Sequence, residues 1–261
     1  MFSFSQLNDT QILTFALVLL RMIAFIVAAA IFSSSNISTP LKILFSIVVS
    51  LVMFKTIATN QVLIRVHENE SFLILMSFRE VMIGLLIGML TRFFFFTLSM
   101  AGEMVSVTMG LGQAQIFNPM MGSMGNALEQ FYVITGTLIY LALNGHHYLL
   151  EALIQSFQTS PLAMLDLNVA AFSEVVMKIQ QYFIFGIKIA APILVSMMIV
   201  QIGMALLSRA VPQINVLMTS ASITALLGML IIFISLPLLV MQMTGLMNLN
   251  TMDLFKFIKT L

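Results

Sequence analysis

Two adjacent histidines, His146-His147, follow Asn144-Gly145, and a third, His67, stands in the segment His67-Glu68-Asn69-Glu70. Histidines and carboxylates are the raw material of metal sites and proton relays. Adjacent residues on a helix point about 100° apart, so His146 and His147 need further ligands to share one ion. No cluster of His or carboxylate surrounds them, and the dipeptide reads as part of a turn or an interfacial cap. His67 lacks the second histidine of the zinc-protease helix and reads as solvated loop. Ser123, in Gly122-Ser123-Met124-Gly125, could form an intramembrane serine–histidine dyad with His146 or His147, but the pattern is too short and common to carry that chemistry. With no cysteine, thiol catalysis, disulfides and cysteine-held metals are excluded. The expectation is a chain with no catalytic residue, no metal and no cofactor.

The charges are more informative than the histidines. Apolar residues make up 60% of the 261 residues and charged ones 8%, against about 25% charge in soluble domains. Such a chain is an integral membrane protein or is buried within a hydrophobic assembly. The formal net charge of +1 comes without a block of like charge, so neither nucleic-acid binding nor polybasic lipid capture has its footprint. Even so, Arg21, Arg79, Glu80, Arg92, Glu103, Glu129, Glu174, Lys178, Lys188 and Arg209 lie inside or at the edges of apolar runs. At about 2.5–3.5 kcal/mol each near mid-bilayer, exposing all of them to lipid would cost roughly 25–35 kcal/mol. They must instead face other helices, partner subunits or an aqueous path. Arg92 and Glu103 share a helix face but lie roughly 16 Å apart, too far to pair, and are candidates for subunit packing or charge burial. So is the polar turn Arg209, Pro212, Gln213 and Asn215.

The elements that position these residues are helical. Ile12–Phe32 can cross a bilayer, and reads as a retained first helix, with Arg21 near its middle needing a partner. Pro40 follows a break at Ser33–Asn36, and Leu41–Ala58 is bracketed by Lys42 and Lys55. Thr59–Glu70 is a polar connector. From Ser71 to Phe117 nothing but glycine interrupts an apolar pattern; as helix it would run about 65–70 Å, beyond a hydrocarbon core of about 30 Å, so it is not one simple span. Ala127–Leu143 and Tyr148–Phe157 flank a turn at Asn144–His147. Val169–Ala210 is a second very long helical stretch, broken by Pro192, and Glu174 and Lys178 in it have i,i+4 spacing. Val216–Met247 is uncharged and kinked at Pro237, and Asn248–Leu261 reads as a separate short amphipathic helix. The fold class is all-α: hydrophobic helical hairpins with very long, broken helices, assembling into a larger complex.

Between these helices lies the stretch that an ordinary span does not need. Gly102, Gly110, Gly112, Gly122 and Gly125 accompany Asn118-Pro119, with Met100, Met104, Met109, Met120, Met121 and Met124 on and around them. Each glycine costs a helix about 1 kcal/mol relative to alanine, and unbranched thioethers around irregular backbone make a deformable seal. Broken helices at Asn118-Pro119 and Pro212 also suit a small-solute transporter or channel, which is the alternative reading.

Two segments, Met109-Gly-Leu-Gly112-Gln-Ala-Gln-Ile-Phe117-Asn118-Pro119 with Gly122, and Leu207-Ser-Arg209-Ala-Val-Pro212-Gln213-Ile-Asn215-Val216, resemble the FliR family of type III export-gate proteins, flagellar and injectisome. Gly102-Glu103 and Leu141–His146 fit the same pattern, so the resemblance covers the whole chain. Asn118 stands where the family more often has Asp. The resemblance implies a non-enzymatic subunit in the bacterial inner membrane at the flagellar basal body. With FliP and FliQ, and with FlhA and FlhB as further partners, it would form a closed helical cone through which unfolded flagellar proteins leave the cytoplasm. It implies a FliP-like part over 1–165, a FliQ-like hairpin over 166–247 and an amphipathic tail over 248–261. The loop at about 106–125 becomes a plug containing Met109, Gly110, Gly112, Phe117, Asn118, Pro119, Met120, Met121 and Gly122.

Overall fold

The computed structural model describes residues 9–33, 38–57, 70–111, 127–162, 169–210 and 216–260, and every regular element among them is an α-helix. In chain order these are α1 (Asp9–Ala28), α2 (Ala30–Ser33), α3 (Thr39–Ile57), α4 (Glu70–Thr108), α5 (Ala127–Ala142), α6 (Gly145–Thr159), α7 (Val169–Ala210) and α8 (Val216–Thr260). Stretches of α1, α4, α7 and α8 are long and apolar enough to cross a membrane. The rest of the chain covers 61% of the α4 stretch but 22% of that in α8. Helix α4 is therefore a core helix, whereas α8 leaves most of its apolar surface for lipid or another protein to cover.

Several expectations of helix limits change, among them the first helix, which breaks after Ala28 into α1 and α2. Helix α4 is unbroken but stops at Thr108, short of Phe117. Helix α6 begins at Gly145, so His146 and His147 sit in its first turn and the connection shrinks to Leu143-Asn144, with Asn144 at φ 57°. Helix α8 passes through Pro237 and Met247 to Thr260, so the expected separate tail is its C-terminal end. Helix α7 likewise continues through Pro192. Pro40 lies in the first turn of α3, where its missing N–H removes no helical bond.

The chain divides into two compact units. The first comprises residues 1–93, 146–178 and 250–261. In it Phe15 of α1 meets Phe54 of α3 edge-on at 5.9 Å. Glycines let α4 approach α1 backbone to backbone: a Cβ at Gly84 would lie 2.3 Å from the Arg21 carbonyl, and one at Gly88 2.5 Å from the Ala28 Cβ. This is the small-residue packing by which helices associate in lipid. At the end of α8, Leu254, Phe257 and Ile258 are buried while Lys256 and Lys259 point outward. The apolar face of the expected amphipathic tail is covered by the chain itself, and Asp253 there accepts a hydrogen bond from Lys178 of α7.

The close approach of α1 and α4 carries a buried ionic network. Arg21 is 0% exposed, and its Nε donates to Glu80 at 2.6 Å. One terminal nitrogen donates to the Ser156 carbonyl at 3.0 Å and hydroxyl at 3.2 Å, the other to the Ser160 carbonyl at 3.0 Å. The Phe157 ring lies 4.1 Å from the guanidinium carbon. Arg79 donates to the second Glu80 oxygen and to the Pro161 carbonyl, both at 3.1 Å, and to the Ser160 hydroxyl. Two cations and one anion leave one uncompensated positive charge. The end of α6 offsets it, because the carbonyls of its last turn carry the negative pole of the helix dipole.

Glu80→Ala would leave two guanidinium groups buried without an anion, and is expected to cost about 3–5 kcal/mol. A fall in the thermal midpoint of the detergent-purified chain checks this. Arg21→Lys, which keeps the charge but loses the planar fork, should not recover what Arg21→Ala loses. An unchanged midpoint in Glu80→Ala would remove the network from the stabilising interactions.

Candidate functional site

The second unit, residues 94–145 and 179–249, holds the start of the glycine- and methionine-rich segment. Helix α4 stops because Gly110, at φ 77°, takes the left-handed conformation open to a residue without a Cβ. The N–H of Gly110 donates to the Val107 carbonyl, and that of Leu111 to the Ser106 carbonyl, each at 3.1 Å. This is a Schellman cap, and among the described residues it leaves the carbonyls of Thr108 and Met109 without a backbone donor. Side chains from two other helices take both. Gln201 Nε2 of α7 donates to Thr108 at 3.0 Å, and Thr224 Oγ1 of α8 donates to Met109 at 3.2 Å. The Met109 side chain, 0% exposed, occupies the space that Gly228 leaves open, where a Cβ would fall 2.5–2.7 Å from its last three side-chain atoms.

The other flank of the segment is equally fixed. Helix α5 starts at Ala127, and Glu129 in its first turn, where the dipole favours a carboxylate, accepts a hydrogen bond from Ser99 of α4. Gly102 makes the contact possible, since a Cβ on it would lie 2.7 Å from the Glu129 Cα. Further along, Gly136 packs on Leu98, and Tyr140 tilts against Phe94 and Phe95 at 5.5 and 5.6 Å.

Of the residues singled out from sequence, Met109 and Gly110 thus form the root of the segment. Gly112, Phe117, Asn118, Pro119, Met120, Met121, Gly122 and Ser123 lie outside the described residues, as do His67, Pro212, Gln213 and Asn215. Arg209, in the last turn of α7, is exposed, as are Arg92 and Glu103 on α4. Their charges are not buried within this chain. Lys178 pairs with Asp253, 75 residues away in sequence. The rings of His146 and His147 are tilted against each other at 4.2 Å, and among the described residues no group of three or more His, Cys, Asp or Glu is placed to hold a metal ion. Sequence reasoning missed Gln201, Thr224, Gly228, Ser156 and Ser160. Four-residue spacing puts Thr224 with Gly228, and Ser156 with Ser160, on one helix face, but that is a weak signal alone.

The profile of the family described as bacterial export proteins, family 1, matches residues 12–249. The chain belongs to that family. Similar proteins include the flagellar biosynthetic protein FliR of Aquifex aeolicus, 27% identical over 252 residues, which are 95% of this chain and 93% of that one. The FliR of Bacillus subtilis is 26% identical over 91% of this chain and 92% of its own length, and that of Escherichia coli is 24% identical over 85% and 83%. This FliR-family chain therefore matches its relatives along nearly their full length, and both flanks of the glycine- and methionine-rich segment fall inside the match.

Gly102 and Gly203 should respond in opposite directions to alanine. A Cβ at Gly102 collides with backbone, whereas at Gly203 nothing lies within 4 Å. Gly102→Ala is expected to destabilise the purified chain by about 1–3 kcal/mol, and Gly203→Ala to stabilise it by up to about 1 kcal/mol through helix propensity. Thermal melts in detergent decide; equal shifts would contradict the close approach of α4 and α5.

Proposed function

We infer that the protein is a subunit of the flagellar type III export gate, and that it works by conformational closure of a channel without chemistry of its own. The observation that carries this reading is the co-linear family match over residues 12–249. The apolar surface of α8 supports it, because only 22% of its membrane-length stretch is covered by the chain itself. Partners suited to that surface, on the family resemblance, are FliP and FliQ, with FlhA and FlhB and the exported flagellar proteins in contact with the assembled gate. The place of assembly is the inner membrane at the flagellar basal body. Residues 1–165 would act as a FliP-like part and 166–247 as a FliQ-like hairpin.

The segment at about 106–125 is proposed as the plug. Non-helical backbone at hydrophobic depth is tolerable where protein or a water-filled path surrounds it, and the glycines, Asn118-Pro119 and the thioethers of Met120 and Met121 give a sequence suited to reversible closure. Exposed Arg209, next to Pro212, Gln213 and Asn215, would brace a subunit contact.

Deletion of Ile116–Gly122 is expected to leave the assembled gate leaky to ions or small solutes while the complex is still recovered. Unchanged permeability of an assembled complex would overturn the plug. Solute flux through the purified chain alone would favour a transporter instead. Arg209→Ala should reduce co-purification with partner subunits severalfold while leaving helix content unchanged; full recovery of the complex would remove Arg209 from the contact.

A further inference from the structure

We propose that Thr224, Gly228 and Gln201 are positioning residues that clamp the end of α4, and that this clamp stays closed while the gate opens. The proposal rests on the export-gate reading and concerns described residues alone. The carbonyl accounting supports it. The Ser106 and Val107 carbonyls are taken by the backbone N–H groups of Leu111 and Gly110, and the Thr108 and Met109 carbonyls by Gln201 and Thr224. A helix end that is to unwind or detach gains nothing from donors supplied by two other helices. An end that must remain fixed needs them, since a carbonyl left unpaired in an apolar setting is costly.

The side chains lead to the same conclusion. Met109 is fully buried and Thr224 nearly so, which makes their hydrogen bond stronger than an exposed one. Gly228 is shaped to the Met109 side chain, which comes close enough to exclude any other residue there without displacement. Gly110 then provides the one left-handed φ among the described glycines, which ends the helix at the clamp. Methionine is ordinarily an adaptable filler; here hydrogen bonds on its backbone and on that of the preceding residue fix where it sits.

The absence of native cysteine makes a direct test available. A Cβ at Gly228 would lie 2.6 Å from the Met109 Cγ, so the two Cβ atoms come within about 4 Å, inside the range of a disulfide. Met109→Cys with Gly228→Cys should crosslink in the assembled gate, and export of flagellar subunits should be the same after mild oxidation as after reduction. Failure to crosslink, or export lost on oxidation and regained on reduction, would overturn the proposal. If the reduced double variant does not export at all, Thr224→Val and Thr224→Ser decide. Valine should raise the resting solute leak severalfold at normal complex yield, and serine, which keeps the hydroxyl, should restore it. Valine indistinguishable from wild type would overturn the clamp. Deletion of Ile116–Gly122 in parallel separates the two ideas, because a silent deletion with an export-competent crosslink removes the plug and leaves the clamp.

Discussion

The contact between Arg21 and Glu80 is the constraint to which the first unit is fitted. An arginine at the middle of an apolar helix is tolerable only if its donors are satisfied within the protein. Satisfying them requires a carboxylate at 2.6 Å, two carbonyls and a hydroxyl. That demand brings α1, α4 and the end of α6 together, and Gly84 permits the approach because its missing Cβ would overlap the Arg21 carbonyl. The arginine and the glycine are therefore parts of one arrangement. Arg79 doubles the positive charge, and the helix end that receives both guanidinium groups supplies the partial negative charge that one carboxylate lacks.

The same rule, that no polar group goes unpaired at hydrophobic depth, governs the end of α4. There the unpaired groups are carbonyls, and the solution is a Schellman cap completed by Gln201 and Thr224. A cap built by a chain's own backbone is local and common. One completed from two distant helices ties the helix end to its surroundings.

Much of this was legible in the residues. The all-α class follows from unbroken apolar runs, and the limits Val169–Ala210 of α7 agree with the sequence reading to the residue, because polar breaks stand on both sides. The need of Arg21 for a partner was legible; the partner was not, since Glu80 and Ser156 lie 59 and 135 residues away and no periodicity encodes such pairing. The apolar pattern runs on to Phe117, but α4 ends at Thr108, because termination depends on the φ of Gly110 and on donors from other helices. The sequence reads as a separate amphipathic tail from Asn248 onward. Instead the Asn250 amide donates to the Leu90 carbonyl of α4 at 2.9 Å, so a polar residue that looks like punctuation in sequence is an interhelical bond in the fold. For the candidate site, the glycines and methionines marked the segment, whereas Thr224 and Gly228 resemble any small residues of an apolar helix until Met109 is seen against them.

The central claim is that this chain is an indispensable part of a protein export gate, and secretion measures it most directly. In its own bacterium, loss of the gene should abolish flagellin in the medium while flagellin accumulates inside the cell, and a plasmid copy should restore export. Undiminished secretion of flagellin without the gene would contradict the account.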